Sequence, residues 1–267
     1  MGQHPVLPAG AGNFDLIGLP IADLSGGDIV RLATSEVVSP TQRPFVLFAL
    51  HVGGLLARRQ PGFRQSMHRA HLTYADGISV VLLARMAGAK RIGRAATTDI
   101  GWTILKKSTR ARGRPPRVAA IGGRPGLAEL ALKTFENSGV AKGVFAAHGY
   151  HENWADVLAT LNETEPDIVL VGLGSPLEME WVDKNFDALP RAVILTCGGW
   201  FGHVVGDESR APLWLRRTGF EWLYRAYLSP RRLGPRYLKG LVIFPVLCAM
   251  ALGQRLQASV RRLLTRS

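Results

Sequence analysis

Five short apolar runs recur along this chain: Pro44–Leu50, Arg117–Gly122, Val144–His148, Asp167–Gly172 and Ala192–Thr196. Helix-length amphipathic patterns fall between several of them, over Leu127–Asn137, Trp154–Asn162 and Leu177–Phe186. A strand that is apolar without alternation is buried on both faces, and parallel strands joined by helical crossovers achieve that burial. The pattern therefore predicts a doubly wound, mainly parallel α/β sheet over residues 14–205. A short strand pair over Phe14–Ile21 and a helix over Asp23–Ala33, with Asp23 and Ser25 as caps, lead into it. Residues 1–13 read as a disordered lead-in, and residues 206–267 as a basic helical appendage. A chain of 267 residues is long enough for one large core with such an addition.

In sheets of this kind ligands bind at the carboxyl ends of the strands. Three glycine-rich turns fall there: Gly122-Gly123-Arg124-Pro125-Gly126, Gly172-Leu173-Gly174-Ser175-Pro176 and Gly198-Gly199. Glycine lets backbone amides approach a phosphate, and a following helix N-terminus favours negative charge. One such turn can be simple chain reversal. Three at equivalent strand ends point to a nucleotide-type ligand.

Charge is unevenly spread. The net +13 concentrates in Arg85–Arg117 and in Ser209–Ser267, the latter holding twelve Lys and Arg against Glu221 alone, while the rest is net acidic. Localised anion binding fits this better than general adhesiveness. Within the second zone, Arg210–Arg232 interleaves six arginines with Trp214, Trp222, Tyr224 and Tyr227. The charge-free stretch Leu241–Gly253 follows. It is shorter than the ~20 apolar residues that span a bilayer, and Pro245 interrupts it, so the tail is expected to lie on a membrane surface. Leu238, Leu241, Val242, Phe244 and Leu247 supply an apolar face, extended by Leu252, Leu256, Val260, Leu263 and Leu264. Lys239, Arg255, Arg261, Arg262 and Arg266 can meet anionic lipid. The competing assignment for that face is the protein's own core or a second copy. The N-terminus lacks the pattern of a signal peptide, and Cys197 and Cys248 have no metal-type spacing, so reduced cysteines are expected.

The stretch Tyr74-Ala75-Asp76-Gly77-Ile78-Ser79 reads as the opening of a helix, with Arg94-Ala95-Ala96-Thr97-Thr98-Asp99 downstream. Alone, Asp76 before a glycine reads as a turn or cap. Taken with Gly172-Leu173-Gly174-Ser175-Pro176, Gly198-Gly199-Trp200-Phe201 and the Arg210–Arg232 segment, it resembles the WecG/TagA/CpsF glycosyltransferases, glycosyltransferase family 26, over about Phe14 to Arg236. The resemblance implies a Rossmann-like fold whose C-terminal appendage helps complete the active site. It implies transfer of a sugar from a UDP-sugar to a polyprenyl-diphosphate-linked saccharide at the cytoplasmic face of the inner membrane, with the enzyme held there peripherally by anionic lipid. Asp76 matches the general base, and Arg225 and Arg232 match arginines that engage the donor diphosphate. Another arginine of the pattern falls on Pro235, with Arg236 beside it.

These residue types suit the chemistry. Inverting transfer needs a carboxylate to deprotonate the acceptor hydroxyl and cations to stabilise departing UDP. Arginine grips phosphate oxygens bidentately. The chain contains no Asp-x-Asp, so neither a metal nor another cofactor is expected. Donor-site residues on this reading are Gly122, Gly123, Gly172, Gly174, Ser175, Gly198 and Gly199.

The chain also departs from the pattern of the family it resembles. Phe48 and Leu50 stand where a Thr/Asn pair is usual, Glu178 replaces a glutamine, and Gly202 replaces an aspartate. Polar groups lining a sugar site discriminate strongly, so the donor is left between N-acetylmannosamine-type and glucose- or glucuronic-acid-type sugars. His51, Glu178, Thr98 and Asp99 are candidate sugar-site residues, although His51 could be structural and Glu178 a second carboxylate or a helix cap. The product would belong to exopolysaccharide or another cell-surface polysaccharide. A non-catalytic scaffold docked on the membrane is the competing class. Nucleic acid is not an expected partner, for no such motif accompanies the charge. A homo-oligomer is left open.

Overall fold

The structure, a computed structural model, describes residues 13–207, 211–212, 214–215, 221–228 and 230–264. The expected lead-in lies outside the described residues up to position 12, and Asn13 already opens the first strand. That strand, β1 (Asn13–Leu16), pairs antiparallel with β2 (Leu19–Ala22). Helix α1 (Gly26–Val38) follows, starting and ending later than its sequence pattern suggested. Ser25 caps it reciprocally with Asp28. Asp23 does different work: its carboxylate accepts from the amides of Lys90, Arg91 and Ile92.

The main sheet has six parallel strands in the order β4-β3-β8-β7-β5-β6. They are β3 (Phe45–Leu50), β4 (Leu72–Ala75), β5 (Arg117–Gly122), β6 (Lys142–Ala147), β7 (Ile168–Gly172) and β8 (Val193–Thr196). Every residue of β3, β4, β7 and β8 is buried, as strands covered on both faces must be. Strand β4 was missed by the sequence reading, because its four residues merge with the helical pattern behind them.

Helices cover both faces. One side carries α2 (Val52–Ala57), α3 (Pro61–Met67), α4 (Ile78–Ala87), α7 (Ala155–Glu163) and α8 (Leu177–Lys184). The other carries α1, α5 (Thr97–Arg112), α6 (Leu127–Asn137) and α9 (Trp200–Val205). Phe48 and Leu50, positions expected to alter a polar sugar site, are wholly inaccessible in the first of these layers. They are core residues. In the other layer Trp200 packs against Phe135 and Trp102.

Beyond α10 (Glu221–Leu228), the chain ends in α11 (Pro230–Leu264). Its 35 residues give a rod of about 52 Å. The sequence expectation that Pro245 would break it is corrected: both Pro235 and Pro245 lie inside the helix. By length and composition its Tyr237–Val260 portion could cross a membrane. Instead one narrow stripe docks on the body. The Gly240 backbone approaches Val52, Leu247 and Ala251 are buried in the core, and the Gln254 side chain binds Asp15 and the Ile17 amide. Phe244 packs at the edge of that stripe, whereas Leu238, Leu241, Val242, Leu252, Leu256, Val260, Leu263 and Leu264 are exposed. Part of this face, Leu247 above all, is therefore taken by the protein's own core.

A steric test of the second layer lies in α5. A Cβ on Gly101 would stand 2.3 Å from Trp200 Cη2, which is 1% exposed. Alanine gains about 1 kcal/mol of helix propensity, but overpacking costs about 1–3 kcal/mol, and so short a contact falls at the upper end. Gly101→Ala should therefore be net destabilised in urea unfolding. A gain in stability would show that Trp200 does not fill this space.

Candidate active site

The carboxyl ends of β3, β4, β5, β7 and β8 bring together most of the sequence-predicted residues. Helices α8 and α9, which follow the adjacent strands β7 and β8, leave to opposite faces of the sheet. The chain therefore parts over Gly172–Gly174 and Gly198, the crevice in which open α/β sheets bind ligands.

The turns themselves meet backbone to backbone. Gly122 (φ +134°) lies opposite Gly172, and a Cβ there would be 2.3 Å from the Gly172 carbonyl oxygen. A Cβ on Gly172 would in turn stand 2.9 Å from the Gly198 oxygen. Gly122 and Gly172 are thus demanded by packing. Gly174 (φ +80°) and Gly198 (φ +50°) are left-handed, and a Cβ at either would meet open space. Gly123 is held under Leu127, and Gly199 caps α9. Ser175 is 6% exposed, and its Oγ has no hydrogen-bond partner.

Glu178 joins two of these turns. Its Oε2 accepts from the amides of Gly174 and Gly198, both at 3.0 Å, and the residue is 1% exposed. The carboxyl faces inward as a strut between turns, which is neither a helix cap nor a group presented to a sugar. Burial, and then the Glu178 charge, push the Cys197 thiol well above its ordinary pKa. Both cysteines are free.

Asp76 follows β4 directly, and its amide donates to Leu50 O (2.9 Å). The Ala95 amide donates to Ala75 O at 2.8 Å, which brings the start of α5 back to this strand end. There Asp76 Oδ1 accepts from the Thr97 amide (2.6 Å) and from Thr97 Oγ1 (3.0 Å). The Tyr74 hydroxyl, 2.7 Å from Thr97 Oγ1, completes the chain. Burial first, and then the Asp76 charge, raise the Tyr74 pKa well above its usual value, so the phenol stays protonated and donates. One carboxylate oxygen of Asp76 is thereby fixed. Two strand intervals of about 4.8 Å separate β4 from β8. Asp76 and the Gly198 turn thus stand roughly 10 Å apart, with the end of β3 between them.

His51, one residue beyond the β3–β4 pair Leu50↔Ala75, sits level with Asp76 and beside Gly77. Its Nδ1 accepts from the Gly53 amide at 2.9 Å, capping α2. Thr98 and Asp99 lie in the first turn of α5, Asp99 exposed. The appendage reaches the same place. Glu221, at the start of α10, pairs with Arg94, three residues before Thr97; their side chains are 12% and 23% exposed. Trp222 packs on Tyr237, joining α10 to α11. Arg225 follows Glu221 by one turn of α10, and Arg232 lies near the start of α11; the side chains of both lie outside the described residues.

Several residues went unnoticed in the sequence. Thr97 and Tyr74 orient Asp76, and Arg94 receives the appendage. Arg124, within the first glycine turn, pairs with Asp207 at the surface. Beyond β6, His148 and His151 stack at 4.0 Å, and burial followed by the His148 charge lowers the His151 pKa. Only the Thr97-Thr98 step after a strand-end aspartate gave a signal that could have been used. Among the described residues no group of three or more His, Cys, Asp or Glu is placed to hold a metal ion.

The family model described as Glycosyl transferase WecG/TagA/CpsF family matches residues 14–260.

Thr97→Val would strand the buried Tyr74 hydroxyl and release one anchor of Asp76. A stability loss of about 1–3 kcal/mol is expected, with Thr97→Ser recovering most of it. Identical urea midpoints for wild type and Thr97→Val would contradict the Tyr74–Thr97–Asp76 chain.

Proposed function

The chain belongs to the WecG/TagA/CpsF glycosyltransferases, enzymes of cell-surface polysaccharide biosynthesis, and from that premise we propose that it is an inverting transferase. It moves a sugar from a UDP-sugar to a polyprenyl-diphosphate-linked saccharide, with Asp76 as general base. The observation that carries this reading is the Asp76 carboxylate, pinned through one oxygen by Thr97 at the same end of the sheet as the glycine turns. An acceptor hydroxyl placed at the second oxygen would lose its proton as it attacks the anomeric carbon. The leaving diphosphate would lie over the Gly174 and Gly198 turns.

Leaving-group charge falls to cations. Arg225 and Arg232 are proposed for this task because the Arg94–Glu221 pair fixes the start of α10 beside the Asp76 turn. Arg124 is added here: its pair with Asp207 is exposed and therefore weak, so a diphosphate can compete for it. This machinery uses no metal ion. The donor is an N-acetylmannosamine-type or a glucose- or glucuronic-acid-type sugar. Burial of Phe48 and Leu50 removes them from that choice and leaves it with His51, Thr98, Asp99 and the appendage.

Docking at the cytoplasmic face of the inner membrane would be peripheral. The stripe of α11 from Gly240 to Gln254 runs along the body, and crossing a bilayer in that pose would drag the polar body into hydrocarbon. Its exposed apolar residues can instead enter the interface while Lys239 and Arg255 meet anionic headgroups.

A coupled assay of UDP release, run with UDP-sugars and polyprenyl-diphosphate-linked acceptors, tests the reaction. Asp76→Asn should lower turnover by ~10²–10⁴-fold while leaving UDP binding intact. Near wild-type turnover in that variant would remove Asp76 from the role. No release with any donor would favour the scaffold.

Membrane docking has its own test. Leu247 and Ala251 belong to the core, so truncating α11 would also injure the fold. Leu241→Gln, Val242→Gln and Leu256→Gln together alter only exposed positions. Full-length protein should float with anionic liposomes and the triple variant should not. Equal flotation would assign attachment elsewhere.

A further inference from the structure

A cavity of about 700 Å³ opens between α3, the turn of the β1–β2 hairpin and α11. Arg58, Arg59, Arg64 and His68 line it on one side, and Ile17 and Met250 on the other, with no acidic residue in its wall. None of the residues assigned to the strand-end crevice contributes to it. Four basic side chains converge here without a matching carboxylate.

Arg58 is the decisive residue. An arginine is normally among the most exposed side chains, yet this one is 6% exposed. Its Nη1 donates to the Leu55 carbonyl at 3.1 Å, and its buried Nη2 has no hydrogen-bond partner. Burial, and then the charge of Arg59, lower its pKa. A buried cation with an unused donor beside a second cation is a costly arrangement that an anion in the cavity would relieve. Arg64 holds its guanidinium over Gly18 and lines the same cavity as Arg59.

The apolar wall narrows the choice of anion. Met250 stands at the edge of the docked stripe of α11 and is 41% exposed, and Val246, one turn earlier, is 52% exposed. A phosphate seated on Arg58 would leave any attached hydrocarbon to run along these two residues. The position also separates this cavity from the transfer site. Gly240 packs on Val52, just after His51, and Met250 is ten residues further along the rod, about 15 Å away.

We propose that this cavity is a binding site for the phosphate headgroup of an anionic membrane phospholipid, with Arg58 as its buried anchor, Arg59 and Arg64 as its rim, and Met250 against the acyl chain. It goes beyond general attraction between a basic tail and a charged membrane, because it assigns one stoichiometric site on the body of the protein. It does not rest on the proposed transfer reaction, since binding is read without turnover.

Calorimetric titration of the full-length protein with dihexanoyl phosphatidylglycerol, below its micelle concentration, tests the site. Saturable binding of one molecule is expected, with dihexanoyl phosphatidylcholine and inorganic phosphate each weaker by about tenfold or more. Arg59→Gln/Arg64→Gln, which changes only exposed positions, should weaken phosphatidylglycerol by about tenfold or more; Arg58→Gln should do the same if it folds. Met250→Gln should weaken phosphatidylglycerol and leave phosphate unchanged. Lys106→Gln/Arg110→Gln, on α5, should leave both unchanged. Phosphate binding as tightly as phosphatidylglycerol would make this a free-anion site and overturn the lipid assignment. So would equal binding of phosphatidylcholine, or an unaltered affinity in Arg59→Gln/Arg64→Gln.

Discussion

The crevice depends on one buried carboxylate. Glu178 holds the amides of Gly174 and Gly198, and without it two adjacent glycine turns would have only backbone contact to keep them in register. Each charge-assisted bond is worth about 1.5–3 kcal/mol, which offsets the several kcal/mol of burying the charge. The balance is close, so the gain is mainly positional. Two left-handed glycines need an external fixed point if their turns are to keep one position, and here both amides are turned inward onto it. The strut supplies it from α8, a helix already locked into the core by Met179 and Val182.

The same logic recurs at Asp76. A flexible carboxylate at a strand end would sample many rotamers, and a base that must meet a hydroxyl cannot. Thr97 removes that freedom through both its amide and its hydroxyl, and Tyr74 orients the hydroxyl in turn. The β4–α5 contact that delivers Thr97 is a single backbone bond from Ala95 to Ala75. Arg94, next to Ala95, carries the ion pair to Glu221. Orientation of Asp76, the proposed base, and attachment of α10 are therefore set within four consecutive residues.

The parallel sheet was legible because unbroken apolar runs have few other destinations, and the glycine turns because positive φ and close backbone approach leave few residue choices. Strand β4 was not, since Leu72–Ala75 is too short to show a period before α4 begins. Phe48 and Leu50 looked like altered site residues, but β3 is covered on both faces, so its side chains are core on either side. Glu178 was visible as a carboxylate but not as a strut, because its partners are amides 4 and 20 residues away in sequence. Pro245 looked like a helix break because isolated proline cannot donate to the helix ladder. In the folded chain, Phe244, Leu247 and Ala251 hold that part of α11 against the body, and tertiary packing overrides the local penalty.

The direction of α11 links the two halves of the molecule. It runs from Val52, near the strand ends, to Gly88, where Arg255 lies beside the end of α4. The rod packs on α2 and α4 and runs from the carboxyl-end side of the sheet toward the far end of α4. If its exposed face lies in a membrane interface, as proposed, the strand ends beside Val52 lie near the headgroups. A lipid-linked saccharide would then enter from the membrane plane without lifting its chain from the bilayer. The cationic cavity, about 15 Å further along the same rod, would touch that surface at a second point. Two contacts separated along the rod would hold its tilt against the membrane, which a single point of attachment cannot do.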